Sequence, residues 1–275
     1  MIPAKRATLA SFINGLQSAG RIVFSADEAI KALSSSHGAF LDAAERLQRS
    51  RHLINPRRGF YVVVPPQFFA WGAPPPPWYI DDLMRHEGRS YYVGLLKAAE
   101  LHGATHQAVM EFQVVTDKRL PEMRIGRSIL SFYYRKDMDS ITAGVEQCKT
   151  DTGQMKVSSV ELTALDLLRY RHAAGGLDNI VTVLSELAPK IDAKRLAALS
   201  ASFERPVVQR VGHLLDRLHY RKLTENLVKG LSSNGSLEWV ELDPTENGRG
   251  DLALEPVERD ERWRVIVRRT PERDE

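Results

Sequence analysis

This sequence lacks the features that mark disulfide-bonded, zinc-binding, membrane-spanning or secreted proteins. Its single cysteine, Cys148, can form no internal disulfide and cannot hold a zinc ion alone. No apolar run approaches the roughly 20 residues that a membrane-spanning helix needs. The N-terminus has no apolar block followed by a small-residue cleavage site. We therefore expect a cytoplasmic protein, with room in its 275 residues for one large domain or two ordinary ones.

Motifs that hold phosphates, metals or nucleophiles are also missing. The chain contains no P-loop, no G-x-G-x-x-G and no G-x-S-x-G sequence. His86, His102 and His106 lie near one another in sequence, but none belongs to an H-E-x-x-H pattern. A histidine near a helix C-terminus more often bonds free carbonyl groups. We expect no metal site and no cofactor.

One pattern loosely resembles a nucleotidyltransferase site. Gly126-Arg127-Ser128 is followed by Asp137 and Asp139, and such sites use paired carboxylates to hold Mg²⁺ and a Gly-Ser turn for phosphates. Here an arginine separates the glycine from the serine, and no third carboxylate follows on a strand. The simpler interpretation is that both aspartates form turns, and we expect no catalytic residue.

Positive charge is concentrated at the start of the chain. The net charge is +3, but residues 1–64 have nine Lys or Arg and four Asp or Glu, whereas the remainder is slightly acidic. A basic segment on a nearly neutral body favours contact with a polyanion. A solvated basic face is the alternative that charge alone leaves open.

The same segment has the element order of a DNA-binding unit. Helical spacing predicts a helix over residues 4–19, a short helix capped at Ser25 and a third helix after a polar turn, and residues 53–64 predict a β-hairpin with arginines at its tip. This order is typical of a winged helix-turn-helix, which lays its third helix in the major groove and its hairpin on the backbone. A small helical domain with solvated arginines is the alternative. The candidate DNA-binding residues are Ser35, Ser36, His37, Arg46, Arg49, Arg57 and Arg58.

A proline-rich stretch follows the hairpin. Residues 65–78 hold six of the 14 prolines, which favours an extended linker, and their aromatic residues indicate that this linker packs on a neighbouring domain. Residues 79–275 would form a larger domain of helices around a small sheet, with a charged tail from about residue 244. The predicted fold class is α+β, with mixed helices and strands.

Several segments of the larger domain resemble AbiEi-type antitoxins of the AbiE type IV toxin–antitoxin systems. The resemblance lies in residues 91–117, 124–137, 157–170 and 174–188. It implies an antitoxin whose N-terminal winged helix binds inverted repeats in its own promoter and represses its operon. It also implies a functional partner, a nucleotidyltransferase-like toxin.

Residues 205–229 are the strongest basic cluster of the larger domain. Arg210, Arg217 and Arg221 are spaced so that they can share one exposed helical face, and we expect an antitoxicity surface there, with a solvated face as the alternative. Two other functions stay open from sequence: a plain winged-helix regulator whose second domain senses a ligand or dimerises, and a nucleotide-handling enzyme that uses Asp137 and Asp139.

Overall fold

The computed structural model describes residues 8–105, 109–232, 236–246 and 255–273. Helices and strands are mixed, which agrees with the predicted α+β class. The chain packs as two compact units. The first comprises residues 1–91, 110–136 and 147–156, and the second comprises residues 92–109, 137–146 and 157–275. The division therefore does not follow the linker at residues 65–78, and a cut at residue 78 would split the first unit.

The first unit begins with three helices and three short strands. In chain order they are α1 (Leu9–Ser18), β1 (Val23–Ser25), α2 (Ala26–Leu33), α3 (His37–Arg49), β2 (Leu53–Arg57) and β3 (Phe60–Val63). The strands form an antiparallel sheet in the order β1-β3-β2. The three predicted helices and the hairpin are confirmed, although the first helix begins at Leu9 after the N-cap Thr8. Residues 4–7 of its predicted range lie outside the described residues. Strand β1 was missed because three residues are too short to show an alternating pattern.

Serine caps and aromatic packing define this part of the chain. The side chains of Ser25 and Ser36 accept hydrogen bonds at the starts of α2 and α3, which satisfies backbone donors that a helix start leaves free. The ring of Tyr61 stacks on Phe24 at 5.4 Å and meets Phe40 edge-on at 5.3 Å. All three rings are buried. The hairpin is thereby fixed to α3.

The remainder of the first unit includes helix α4 (Ile80–His86) and a second group of strands: β5 (Glu111–Thr116), β6 (Met123–Ile125) and β7 (Ser128–Tyr134). They lie in the order β6-β7-β5, with β5 and β7 parallel and β6 and β7 forming a hairpin. The predicted linker packs on this unit, since Trp78 donates a hydrogen bond from Nε1 to Asp151 at 2.8 Å.

Three strands pass from one unit to the other along the chain: β4 (Tyr91–Val93), β8 (Val145–Thr150) and β9 (Gly153–Ser158). The remaining elements belong to the second unit. They are α5 (Leu95–Leu101), α6 (Val160–Arg169), α7 (Leu177–Leu187), α8 (Ala193–Ser200), α9 (Arg205–Arg217), α10 (Arg221–Ser232), β10 (Val240–Glu241), β11 (Glu258–Asp260) and β12 (Val265–Val267). Among the described residues, no helix has the length and apolarity required to cross a bilayer.

Apolar residues at helical spacing predict a helix over residues 90–102, and the structure corrects this prediction. Its first part is strand β4, and only Leu95–Leu101 is helical. Gly94 separates the two parts as the N-cap residue, with an extended φ of −133°. Val93 pairs in parallel with Val157, and the burial of this pairing outweighs the helical spacing of the apolar residues.

Two strand predictions are also corrected. Residues 141–149 have the composition of a strand, but the stretch begins as a 3-10 helix, Asp139–Gly144, before β8 starts. The sequence of residues 263–267 predicts an edge strand. The strand is β12, and it lies in the middle of the order β10-β12-β11. Its partners on both sides are short polar strands that a hydropathy pattern does not reveal.

Candidate nucleic-acid interface

Helix α3 exposes a polar face over most of its length. Phe40 and Ala44 are buried, whereas His37 and Arg46 are exposed. Neither of these two side chains forms a hydrogen bond or ion pair with any residue in the described part of the chain. Leu41, one helical turn after His37, is 43% exposed. This leucine was not among the candidates named from sequence. An exposed apolar side chain of this kind can contact a thymine methyl group.

The two serines before α3 have different surroundings. Ser36 is the N-cap residue, and its Oγ accepts a hydrogen bond from the backbone N–H of Ala39 at 3.3 Å. The hydroxyl of Ser35 is buried and has no hydrogen-bond partner among the described residues. Ser36 therefore stabilises the start of the helix, a role that its substitution would disturb before any contact with DNA.

At the hairpin tip, the two arginines also differ. Arg57 Nε lies 3.2 Å from Glu87 Oε1, and both side chains are largely buried. That nitrogen makes no hydrogen bond of normal geometry, so the contact is an ion pair only. Arg58 is exposed, and its side chain forms no ion pair in the described part of the chain. Arg58 is thus the tip residue whose charge is available to an anion.

Backbone contacts hold the hairpin tip in place. Asn55 donates from Nδ2 to the carbonyl oxygens of Arg57 and Phe60, each at 2.7 Å. His86 Nε2 lies 3.1 Å from the carbonyl oxygen of Arg58. Gly59 has a φ of +76°, a conformation that favours glycine in a tight turn. The exposed guanidinium therefore extends from an ordered turn.

The end of α3 offers less unpaired positive charge than its two arginines alone indicate. Arg49 forms an ion pair with Glu45, four residues earlier on the same exposed face. Pairs of this kind are worth only about 0.3–0.5 kcal/mol, so the arginine remains able to exchange partners. Arg46 has no such counter-charge among the described residues and is the stronger candidate for contact with DNA.

In the second unit, the three arginines of the expected antitoxicity surface do not share one face of unpaired charge. Arg210 is half-buried and donates from Nε to the carbonyl oxygen of Glu241 at 2.9 Å. Burial, together with the charge of Arg171, lowers its pKa to about 10. Arg217 pairs with Glu258 at 2.6 Å. The sequence could not show these contacts, because the partners lie more than 30 residues further along the chain.

Arg221 is the exception among these arginines. It begins α10, its side chain is exposed, and it forms no side-chain hydrogen bond or ion pair with the described residues. The unpaired charge that motivated the expected surface is therefore present at this position. The assignment of the surface to antitoxicity remains a prediction.

The candidate catalytic and metal-binding residues form structural contacts. Asp137 accepts a hydrogen bond from the backbone N–H of Ser140 at 3.2 Å, at the start of the 3-10 helix, which agrees with a role in a turn. His102 Nε2 lies 2.7 Å from the carbonyl oxygen of Ser158. His106 is outside the described residues. In the ranges that the structure describes, no group of three His, Cys, Asp or Glu could hold a metal ion.

Sequence reasoning also missed a polar cluster inside the second unit. Tyr92 and Asp166 are both fully buried, and the tyrosine donates its hydroxyl to the carboxylate at 2.6 Å. Nearby in sequence, buried Glu161 accepts hydrogen bonds from Ser159 Oγ and from the backbone N–H of Asp192. Residues 158–161 have the sequence of a capping box that starts at Ser158, but the N-cap of α6 is Ser159, so this prediction is wrong by one position.

The comparisons with known proteins place this buried polar cluster in a recognised domain. The model of the family described as "AbiEi antitoxin C-terminal domain" matches residues 92–217. These residues include strand β4, both ends of the Tyr92–Asp166 hydrogen bond and helix α9.

The chain carries an AbiEi antitoxin C-terminal domain. The resemblance expected from sequence is confirmed, and the domain gives the protein an antitoxin role in a toxin–antitoxin system. An antitoxin domain implies a toxin partner.

A solved structure supports the fold of the antitoxin along nearly its whole length. The crystal structure of the RV2827C protein from Mycobacterium tuberculosis superposes with a TM-score of 0.65, at 16% sequence identity, and the match covers 96% of this chain and 93% of that chain. Identity this low shows a shared fold alone. A search of curated proteins found no match.

Proposed function

We propose that this antitoxin is also an autorepressor, whose first unit binds inverted repeats in its own promoter as a winged helix. The observation that carries the proposal is the exposed charge of Arg46 and Arg58 on two adjacent elements, α3 and the β2–β3 hairpin. Neither side chain forms an ion pair with the described residues. The order α1-β1-α2-α3-β2-β3 supports it, because winged helices present the third helix and the hairpin to DNA.

The two elements have different tasks in this proposal. His37 and Leu41, one helical turn apart on α3, contact base edges, where polar and apolar groups distinguish base pairs, and Arg46 contacts a phosphate. Arg58 contacts a phosphate, which adds affinity without sequence preference. Arg57 is held by Glu87 and orients the tip. The partner is a nucleotidyltransferase-like toxin in the cytoplasm, as the resemblance to the family implies.

The experiment is a titration of labelled promoter DNA with the full chain at several salt concentrations. Arg58→Ala should weaken binding to every sequence and reduce the slope of log K against log salt by about 0.9, the value for one lost phosphate contact. Arg57→Ala should change that slope by less than half as much. Arg127→Ala, a change at an exposed arginine between β6 and β7, serves as the matched control.

A substitution on α3 separates base contact from phosphate contact. His37→Ala should alter the ratio of affinities between operator variants and leave the salt slope nearly unchanged. The proposal fails if the intact chain binds its promoter no more tightly than a scrambled duplex, or if Arg58→Ala and Arg127→Ala have the same affinity and salt slope.

A further inference from the structure

A recess in the first unit is lined by positive and amide side chains that have no task in DNA binding as proposed above. Its volume is about 420 Å³, and it lies between α4, the loop that follows α4, and strands β8 and β9. Residues that line it include Arg85, Arg89, Ser90, Gln147, Gln154 and Lys156.

The charge in this recess is positive and incompletely neutralised. Asp81 is the only carboxylate among the described residues that line it, and it already contacts Arg85 and accepts a hydrogen bond from Tyr91 Oη at 2.9 Å. Lys156 lies over the Tyr91 ring at 5.8 Å. Neither Lys156 nor Arg89 forms an ion pair with the residues that the structure describes. The recess therefore offers two uncompensated cations.

Arg89 also has a buried donor with nothing to bond. Its Nε is inaccessible to solvent and has no hydrogen-bond partner in the described ranges. A buried, unsatisfied donor costs about 1–3 kcal/mol, and more when the group is charged. An anion that enters the recess could accept hydrogen bonds from this guanidinium, whose planar donors match phosphate oxygens.

The backbone around Arg89 is fixed before any ligand arrives. Gly88 has a φ of +63°, and the N–H of Arg89 donates to the carbonyl oxygen of Met84 at 3.0 Å, as in a Schellman motif at the end of a helix. Buried Thr116 donates its hydroxyl to the carbonyl oxygen of Ser90 at 2.8 Å. A site held in this way loses little conformational entropy on binding.

A smaller recess of about 170 Å³ shares Asp81, Arg85 and Gln154 with the first, and its lining includes Trp78 and Thr150. The hydroxyl of Thr150 is another buried polar atom without a partner among the described residues. Together the two recesses offer cations for phosphates beside an indole and a hydroxyl. Their size is that of small-molecule sites in general.

We propose that this pair of recesses binds a phosphate-bearing small molecule of nucleotide size, with Arg89 and Lys156 at its phosphate oxygens. A duplex is the less suitable occupant, because phosphates of double-stranded DNA are contacted by side chains that project from a surface, whereas these cations line a recess. Gln147 and Gln154 supply neutral donors and acceptors beside the phosphates.

The test is calorimetric titration of the full chain with ATP, pyrophosphate and adenosine at low salt. ATP and pyrophosphate should bind, and adenosine should bind at least tenfold more weakly. Arg89→Gln and Lys156→Gln should each weaken ATP binding at least fivefold. Lys118→Gln removes one charge from an exposed site on the same unit, so it should change the affinity less than twofold. Circular dichroism of each variant checks its fold.

Three results would overturn the proposal. One is the absence of binding of both ATP and pyrophosphate to the intact chain. Another is unchanged ATP affinity in a folded Arg89→Gln, Lys156→Gln double variant. The third comes from a duplex of unrelated sequence titrated in parallel: if the double variant loses duplex affinity while ATP does not bind, the recess is a contact for DNA. Retained promoter specificity in the double variant would show that the recess takes no part in the promoter recognition assigned to α3 and the hairpin.

Discussion

Substitution of Gly212 by alanine should destabilise the second unit through contact between α9 and the C-terminal strand region. A Cβ at this position would lie 2.2, 2.3 and 2.5 Å from three ring carbons of Trp263. The indole cannot move aside easily, because it is fully buried and its Nε1 donates to Asp216 at 2.8 Å. Overpacking typically costs about 1–3 kcal/mol, and this site belongs at the upper end.

Helix propensity acts in the opposite direction. Alanine is about 1 kcal/mol better than glycine inside a helix, so the net loss in free energy of unfolding should be about 2 kcal/mol. Gly230 in α10 is the matched control, since a Cβ there meets no atom within 4 Å, and Gly230→Ala should stabilise by up to about 1 kcal/mol. Urea denaturation followed by circular dichroism measures both changes. Equal stability gains in the two variants would refute the packing of Trp263 on α9.

Two further predictions concern the second unit. Arg221→Glu, at an exposed position, should leave Tm within 2 °C of the original but reduce toxin neutralisation in a growth assay; full neutralisation would remove this residue from the antitoxicity surface. A hydrogen bond from Arg269 lowers the pKa of Asp178, so the carboxylate stabilises the fold above its unfolded-state pKa of about 3.9 and loses this effect as pH falls through the lower folded-state value. Asp178→Asn should therefore flatten the decline of Tm below about pH 4, and an identical decline in both proteins would contradict the assignment.

Local signals predicted the elements of the N-terminal segment well. Helices α1 to α3 have apolar residues at helical spacing, and Ser25 and Ser36 cap two of them, so sequence neighbours alone define these boundaries. The hairpin was predicted for the same reason, because Asn55 and Gly59 supply turn chemistry within a few residues. The sequence could not show which arginine of the hairpin is paired, because Glu87, the partner of Arg57, lies 30 residues further along the chain.

Long-range contacts account for the remaining differences. The apolar residues around Gly94 fit helical spacing, but parallel pairing of Val93 with Val157 makes this stretch a strand. Arg210 has the spacing of an exposed residue, yet it bonds the backbone of a C-terminal strand. No pattern in a single sequence shows the position of that partner. The sequence therefore identified the candidate residues but not which of their charges are paired.

Rescue of growth is the measurement that tests the account most directly. The partner toxin is expressed from an unrelated promoter, and the full antitoxin is supplied with Arg46→Ala and Arg58→Ala together. Because repression of the toxin gene plays no part here, the account predicts that this variant rescues growth as fully as the intact chain, although it no longer binds its own promoter. Loss of rescue in a variant that remains folded, or absence of rescue by the intact chain, would contradict an antitoxin whose neutralising activity is independent of DNA binding.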